Sequence, residues 1–167
     1  MAFEAFEKVA LIGLGLIGSS LSHVMRREKL AKTISGHART AETRSRAMEL
    51  GLVDTMHEDA ADAVRDADLV ILCVPIGACG AVAEAIRPSL KPGAIVTDVG
   101  SVKSAVIRLV APHIPDNVHF IPGHPIAGTE KSGPSAAFSE LYEAHCVVLT
   151  PTVETDTDAV QLVQQMW

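Results

Sequence analysis

Short apolar runs alternate along this chain with longer stretches whose apolar positions recur at helical spacing. The runs predict strands over 8–12, 33–37, 68–74, 94–98, 118–121 and 145–149. The periodic stretches predict helices over about 16–29, 41–50, 58–65, 77–86 and 102–111. Near-continuous apolar strands separated by helices read as a parallel sheet covered on both faces. The expected fold class is therefore α/β, with a doubly wound, mainly parallel sheet. A last helix is predicted from Thr155 or Asp156, with Ala159, Val160, Leu162, Val163, Met166 and Trp167 on its apolar face. It stops at Trp167 with no Gly or Pro exit. The expected organisation is a nucleotide-binding unit over 1–152 and, over 153–167, the start of a helix leading into a truncated helical domain.

The first apolar run, Val9-Ala10-Leu11-Ile12, breaks into Gly13-x-Gly15-x-x-Gly18 and continues as a helix. Glycines at this spacing allow a sharp turn, a close approach of pyrophosphate to the backbone, and tight packing of helix on strand. The amides of Leu16, Ile17 and Gly18 at the helix start offer donors and positive dipole to that pyrophosphate. A strand before the motif and a helix after it make the unit Rossmann-type. Ligands of such sheets lie beyond the carboxyl ends of the strands. That rule selects 13–18, 36–40, 73–77 and 98–103, and so includes Cys73, Val74 and Pro75 among the cofactor-facing candidates.

About 20 residues past Gly18, where NAD-binding domains of this type place a carboxylate on the ribose 2′-hydroxyl, stands Ala38. It lies within Gly36-His37-Ala38-Arg39-Thr40, and Glu42 is already on the next helix. Arg39, Thr40 and Arg44 suit a 2′-phosphate through charge-assisted hydrogen bonds. NADP is thus favoured over NAD, with His37 near the adenosine.

Composition narrows the classes that remain. A net charge of −6 with no basic patch argues against nucleic acid as partner. No apolar run reaches the ~18 residues of a membrane span, so no membrane partner is expected. The acidic start Met-Ala-Phe-Glu-Ala-Phe-Glu lacks a signal-peptide pattern. Cys73, Cys79 and Cys146 are odd in number and without CxxC spacing, and read as buried thiols in a reducing cytoplasm. No metal site is expected. The histidines other than His124, with His37 apart, read as surface or packing residues.

Three further stretches carry more specific chemistry: Cys73-Val74-Pro75-Ile76, Thr97-Asp98-Val99-Gly100-Ser101-Val102-Lys103, and Pro122-Gly123-His124-Pro125-Ile126-Ala127-Gly128-Thr129-Glu130-Lys131-Ser132-Gly133. Gly100 to Ser104 lacks the glycine frame of a phosphate-binding GKS loop. The segment from Gly123 to Ser139 is expected to be a long Gly/Pro/Ser-rich loop of functional character.

In this order the three stretches resemble the prephenate/arogenate (cyclohexadienyl) dehydrogenases of tyrosine biosynthesis, over nearly the whole chain. The resemblance implies oxidation of a cyclohexadienol with loss of CO2, giving an aromatic ring. Hydride leaves ring C4 for the nicotinamide while the C4 hydroxyl loses a proton. It assigns His124 as acceptor of that proton, a role that a neutral imidazole suits, and Ser101 as the serine orienting His124 and the nicotinamide. The alternative for Ser101 is a helix cap. Thr129, Glu130, Lys131 and Ser132 resemble the loop at the mouth of the substrate pocket, and Lys103 faces either the cofactor or substrate pocket or solvent. The substrate would be prephenate or arogenate, and a homodimer would form through the helical second domain.

Two other readings stand beside this one. A dehydrogenase of the β-hydroxyacid or 6-phosphogluconate type would share the cofactor domain but place a catalytic lysine later, and the 123–133 segment speaks against it. A nucleotide-sensing module without enzymatic activity would lack a histidine loop after the fifth strand.

Overall fold

The computed structural model describes residues 4–167. Met1 to Phe3, part of the acidic N-terminal stretch, lie outside the described residues. The chain runs β1 (Phe6–Ile12), α1 (Leu16–Arg27), β2 (Ala31–His37), α2 (Ala41–Glu49), β3 (Thr55–His57), α3 (Ala60–Ala63), β4 (Leu69–Leu72) and α4 (Cys79–Ile86). It continues through β5 (Ile95–Asp98), α5 (Lys103–Val110), β6 (His119–Ile121), β7 (Gly123–Pro125), β8 (Val147–Leu149) and α6 (Thr157–Met166). No helix among the described residues is long and apolar enough to cross a membrane.

β1 pairs in parallel with both β2 and β4, in a six-stranded sheet ordered β3-β2-β1-β4-β5-β6. Connections go one way from β1 and the other way from β4. The crevice above β1 and β4 is therefore the switch point at which such sheets bind ligands. β1 and β4 are buried almost throughout, as strands covered on both faces must be. One core lies on each face of the sheet. The first gathers Val9, Leu11, Leu21, Met25, Ile34, Leu69, Ile71 and Ile121. The second gathers Ala10, Ile12, Val70, Leu72, Ile86, Val96 and Val106.

Six strands were expected in a mainly parallel sheet; among the described residues the parallel sheet has six, but they are not the same six. β3 was missed because it is a short edge strand of Thr-Met-His with no buried residue. The strand expected over 145–149 is outside the parallel sheet: β8 pairs antiparallel with β7, which opens the segment expected to be all loop. α5 begins at Lys103, with Val102 rather than Ser101 at its N-cap and no side-chain cap.

The helix expected near 155 is α6, capped by Asp156, which accepts from the Ala159 N–H at 2.8 Å. Its buried Ala159, Val163 and Met166 join the first core.

Between β7 and β8 the chain straps across α1 and α2. The Phe138 N–H donates to Ser20 Oγ at 3.2 Å, and Tyr142 Oη donates to the Ile17 carbonyl at 2.6 Å. Arg46 Nε donates to Ser135 Oγ at 2.8 Å, and Arg27 pairs with Glu143 at 2.8 Å.

Candidate active site

The glycine turn sits at the switch point and is closed by its neighbours. The Gly13 N–H donates to the His37 carbonyl at 2.9 Å and the Cys73 N–H to the Ile12 carbonyl at 2.7 Å. Its three glycines serve different ends. Gly13 has φ +102°, and a Cβ there would stand 2.5 Å from the Cys73 carbonyl oxygen. A Cβ on Gly18 would stand 2.2 Å from the Gly13 carbonyl oxygen. Both are demanded by packing. Gly15 has no atom within 4 Å of where its Cβ would be. Its glycine is explained by something that approaches from outside, as a pyrophosphate would. Gly15 is also the N-cap of α1, with no side chain bonded over the first turn and no acidic residue in that turn. The open amides of Leu16, Ile17 and Gly18 thus suit an anion.

Next to this turn the β2–α2 loop carries the ribose candidates. Ala38 is buried, at 4% exposure, and its side chain belongs to the first core with Leu14. Arg44 is committed inward: its guanidinium donates to the Ala38 carbonyl at 2.9 Å and the Arg39 carbonyl at 3.2 Å, and meets Glu58 at 3.2 Å. Thr40 caps α2, accepting from the Thr43 N–H at 3.2 Å. His37 Nδ1 faces the His57 carbonyl at 3.3 Å. Arg39 alone of this group is exposed with a side chain bonded to nothing among the described residues.

Cys73 and Val74 are half-buried across the crevice and Pro75 is exposed beyond them. Burial pushes the Cys73 thiol up, with the Asp98 charge adding to it, and burial likewise raises the Cys79 thiol. Both are kept protonated and are not nucleophiles. Cys146, expected to be buried, is exposed, because it lies where the strap returns to the surface before β8. Burial, then the neighbouring Cys73, also holds the Tyr142 hydroxyl neutral.

His124 lies in the middle of β7, half-buried, opposite Val148. Its Nδ1 is 3.3 Å from the Val99 carbonyl oxygen. A carbonyl only accepts, so this contact assigns the proton to Nδ1 and leaves Nε2 with a free lone pair. Ser101 follows Val99 by two residues, exposed, with its hydroxyl bonded to nothing among the described residues. An open cleft of about 350 Å³ is lined by His124, Pro125, Ile126, Ala127, Gly128 and His145. Thr129 and Glu130 are exposed just beyond that lining. Val102 and Ile126, at 51% and 54% exposure, offer apolar surface beside Ser101 and His124.

Sequence reasoning missed two features here. His145 is exposed, as a surface residue is expected to be, and it also lines the cleft with His124, which was not foreseen. Lys103 faces neither pocket nor solvent: its ammonium pairs with buried Asp98 and donates to the Gly123 carbonyl at 2.6 Å. An Asp five residues before a Lys at a strand–helix junction was a signal available for the second. The first had none, since β7 and β8 were not predicted to pair.

Parallel topology, an open glycine turn at the switch point and a histidine strand beside it define a nucleotide-binding Rossmann domain of the oxidoreductase kind. The family described as prephenate dehydrogenase, nucleotide-binding domain, matches residues 21–167. The chain belongs to this family. It is 43% identical over 162 residues to a cyclohexadienyl dehydrogenase of Zymomonas mobilis, covering 97% of this chain and 55% of the relative.

Among solved structures, it superposes with a TM-score of 0.90 at 32% identity on prephenate dehydrogenase from Aquifex aeolicus in complex with hydroxyphenyl propionate and NAD+. That match covers 99% of this chain and 58% of the other. Arogenate dehydrogenase from Synechocystis gives a TM-score of 0.86 at 36% identity, over 95% of this chain and 55% of its own. The chain spans about half the length of the curated relatives it matches.

Proposed function

We propose that this domain binds NADP, or NAD, at the Gly13–Gly18 turn and that the whole protein uses it to oxidise prephenate or arogenate with loss of CO2. The observation that carries the chemistry is the contact of His124 Nδ1 with the Val99 carbonyl. It leaves Nε2 as a base, which the C4 hydroxyl of a cyclohexadienol requires. When bound, the nicotinamide supplies the hydride acceptor.

The chain's own residues do the rest. Gly13, Gly15 and Gly18, with the amides of Leu16 and Ile17, hold the pyrophosphate. His37, Arg39 and Thr40 meet the adenosine end. Cys73, Val74 and Pro75 form the crevice wall above β4. Ser101 orients His124 and the nicotinamide. His124 takes the proton, and Thr129 and Glu130 stand at the mouth of the cleft. Support for NADP comes from the buried Ala38, where a carboxylate would stand for NAD, and from the uncommitted Arg39 side chain.

The test is His124→Asn in the whole enzyme. Asn keeps a hydrogen-bonding side chain but cannot accept the proton, so kcat is expected to fall about 10²–10⁴-fold, the usual share of a general base. Cofactor affinity should change little. A near-normal kcat with chemistry rate-limiting would remove His124 from the role.

A further inference from the structure

Behind the residues that face cofactor and substrate lies an ion pair that touches neither, yet is joined to both strands of the histidine site. We propose that Asp98 and Lys103 form a positioning clasp that fixes His124 against the β5–α5 loop and so decides which ring nitrogen faces the reaction. The inference rests on His124 being the proton acceptor.

Asp98 ends β5 and is wholly buried, at 0% exposure. A carboxylate there is tolerable only if its oxygens are met by donors. One oxygen accepts from the Gly100 N–H at 2.8 Å and from the Lys103 ammonium, and the other from the Gly123 N–H at 3.1 Å. Lys103 in turn donates to the Gly123 carbonyl at 2.6 Å. Lys103 opens α5, where the helix dipole disfavours a cation, so the pair rather than the helix explains its place.

The geometry of β7 shows what the clasp is for. The Thr150 N–H donates to the Pro122 carbonyl at 2.9 Å and the Ile126 N–H to the Cys146 carbonyl at 2.8 Å. In an antiparallel ladder the residues between such pairs alternate in direction. Gly123 therefore turns its N–H and C=O away from β8, where no strand awaits them. Buried peptide groups must be paired, and here Asp98 and Lys103 stand in for the missing strand.

The residue before His124 is thus held at both of its backbone groups. Through the Gly100 N–H the same carboxylate also holds the loop that presents the Val99 carbonyl to Nδ1. Ring and carbonyl, the two halves of the contact that sets the tautomer, hang from one side chain. A buried pair serving stability alone could be exchanged for apolar residues at little loss. This one could not be exchanged without releasing the ring.

The experiment is ring-nitrogen NMR of the full chain labelled at histidine, unaltered and as Lys103→Met and Asp98→Asn. The unaltered chain should show His124 as the single Nδ1–H tautomer when neutral. Both variants should lose that single-tautomer signature at His124 and leave His37 and His119 as they were. An unchanged His124 in both variants would overturn the clasp, and so would an equal change at all three histidines. If Lys103→Met does not fold, Lys103→Gln, which retains a donor to Gly123, is read by the same criteria. Loss of the fold in that variant too would assign the pair to stability and overturn the proposal. No turnover is measured, so the two failures are distinguishable: a failed clasp leaves the His124→Asn result standing, whereas a failed His124→Asn result leaves the tautomer reading but removes its meaning for the reaction.

Discussion

At the β1–α1 turn the backbone is shaped by what the residues lack. At β7 it is shaped by what a distant pair of side chains supplies. The glycine turn needs no charge: Gly13 and Gly18 let strand and helix close on each other, and Gly15 leaves a space. The histidine strand is three residues long and, among the described residues, pairs with one neighbour only. It stays in place because Asp98 and Lys103 meet its other edge. One end of the site is thus specified by local sterics and the other by contacts across twenty residues or more.

The largest expected effect separates the three glycines. Gly13→Ala and Gly18→Ala force a Cβ into backbone atoms, and Gly13→Ala adds positive-φ strain. Overpacking and strain of about 1–3 kcal/mol each predict a loss of roughly 2–6 kcal/mol for Gly13→Ala in thermal or urea unfolding. Gly15→Ala should leave the unfolding curve in place and weaken cofactor binding in calorimetry. Equal destabilisation by all three would erase the distinction between packing glycine and ligand glycine.

The next effect asks whether the glycine end fails at alkaline pH. Cys73 and Tyr142 both lie against this turn, and burial raises both acids. The unfolded chain ionises them from about pH 8.5 and 10, respectively. Their contribution to stability is therefore whole below those values and is lost as pH rises above them. Each loses up to about 1.4 kcal/mol per pH unit in that range. The melting temperature should decline between about pH 9 and 11, and Tyr142→Phe should flatten the upper part of the decline. A level profile would show that the turn does not sense these groups.

The smallest effect sharpens the cofactor end alone. Arg39→Ala should weaken NADP binding about tenfold, the worth of one exposed charge-assisted contact of about 1.4 kcal/mol, with NAD unchanged. Equal losses for both cofactors, or a tenfold preference of the unaltered chain for NAD, would end the 2′-phosphate argument.

Legibility in the sequence follows the same division. The switch-point turn could be read because its glycines are adjacent in sequence and flanked by unbroken apolar strands. β1, β4 and β5 were legible because burial on both faces leaves them apolar. β3 was not, since an edge strand needs no apolar run. β7 was hidden in a Gly/Pro-rich stretch because its pairing partner lies more than twenty residues away and its other edge is met by side chains. His124 and Ser101 were named through family resemblance. That His124 Nδ1 faces the Val99 carbonyl follows only from the folded β5–α5 loop.

The strap across α1 bears on the order in which the molecule can be assembled. Tyr142 reaches the Ile17 carbonyl across 125 residues, and Phe138 reaches Ser20 across 118. α1 is made long before the strap that covers it, and so receives its outer cover late. Closing so long a loop is slow, because the chain entropy is lost before the contact repays it. Until residues 138–142 arrive, a nascent chain carries α1 with the Tyr142 side uncovered, and Ser20 and the Ile17 carbonyl lack the partners they have in the finished fold.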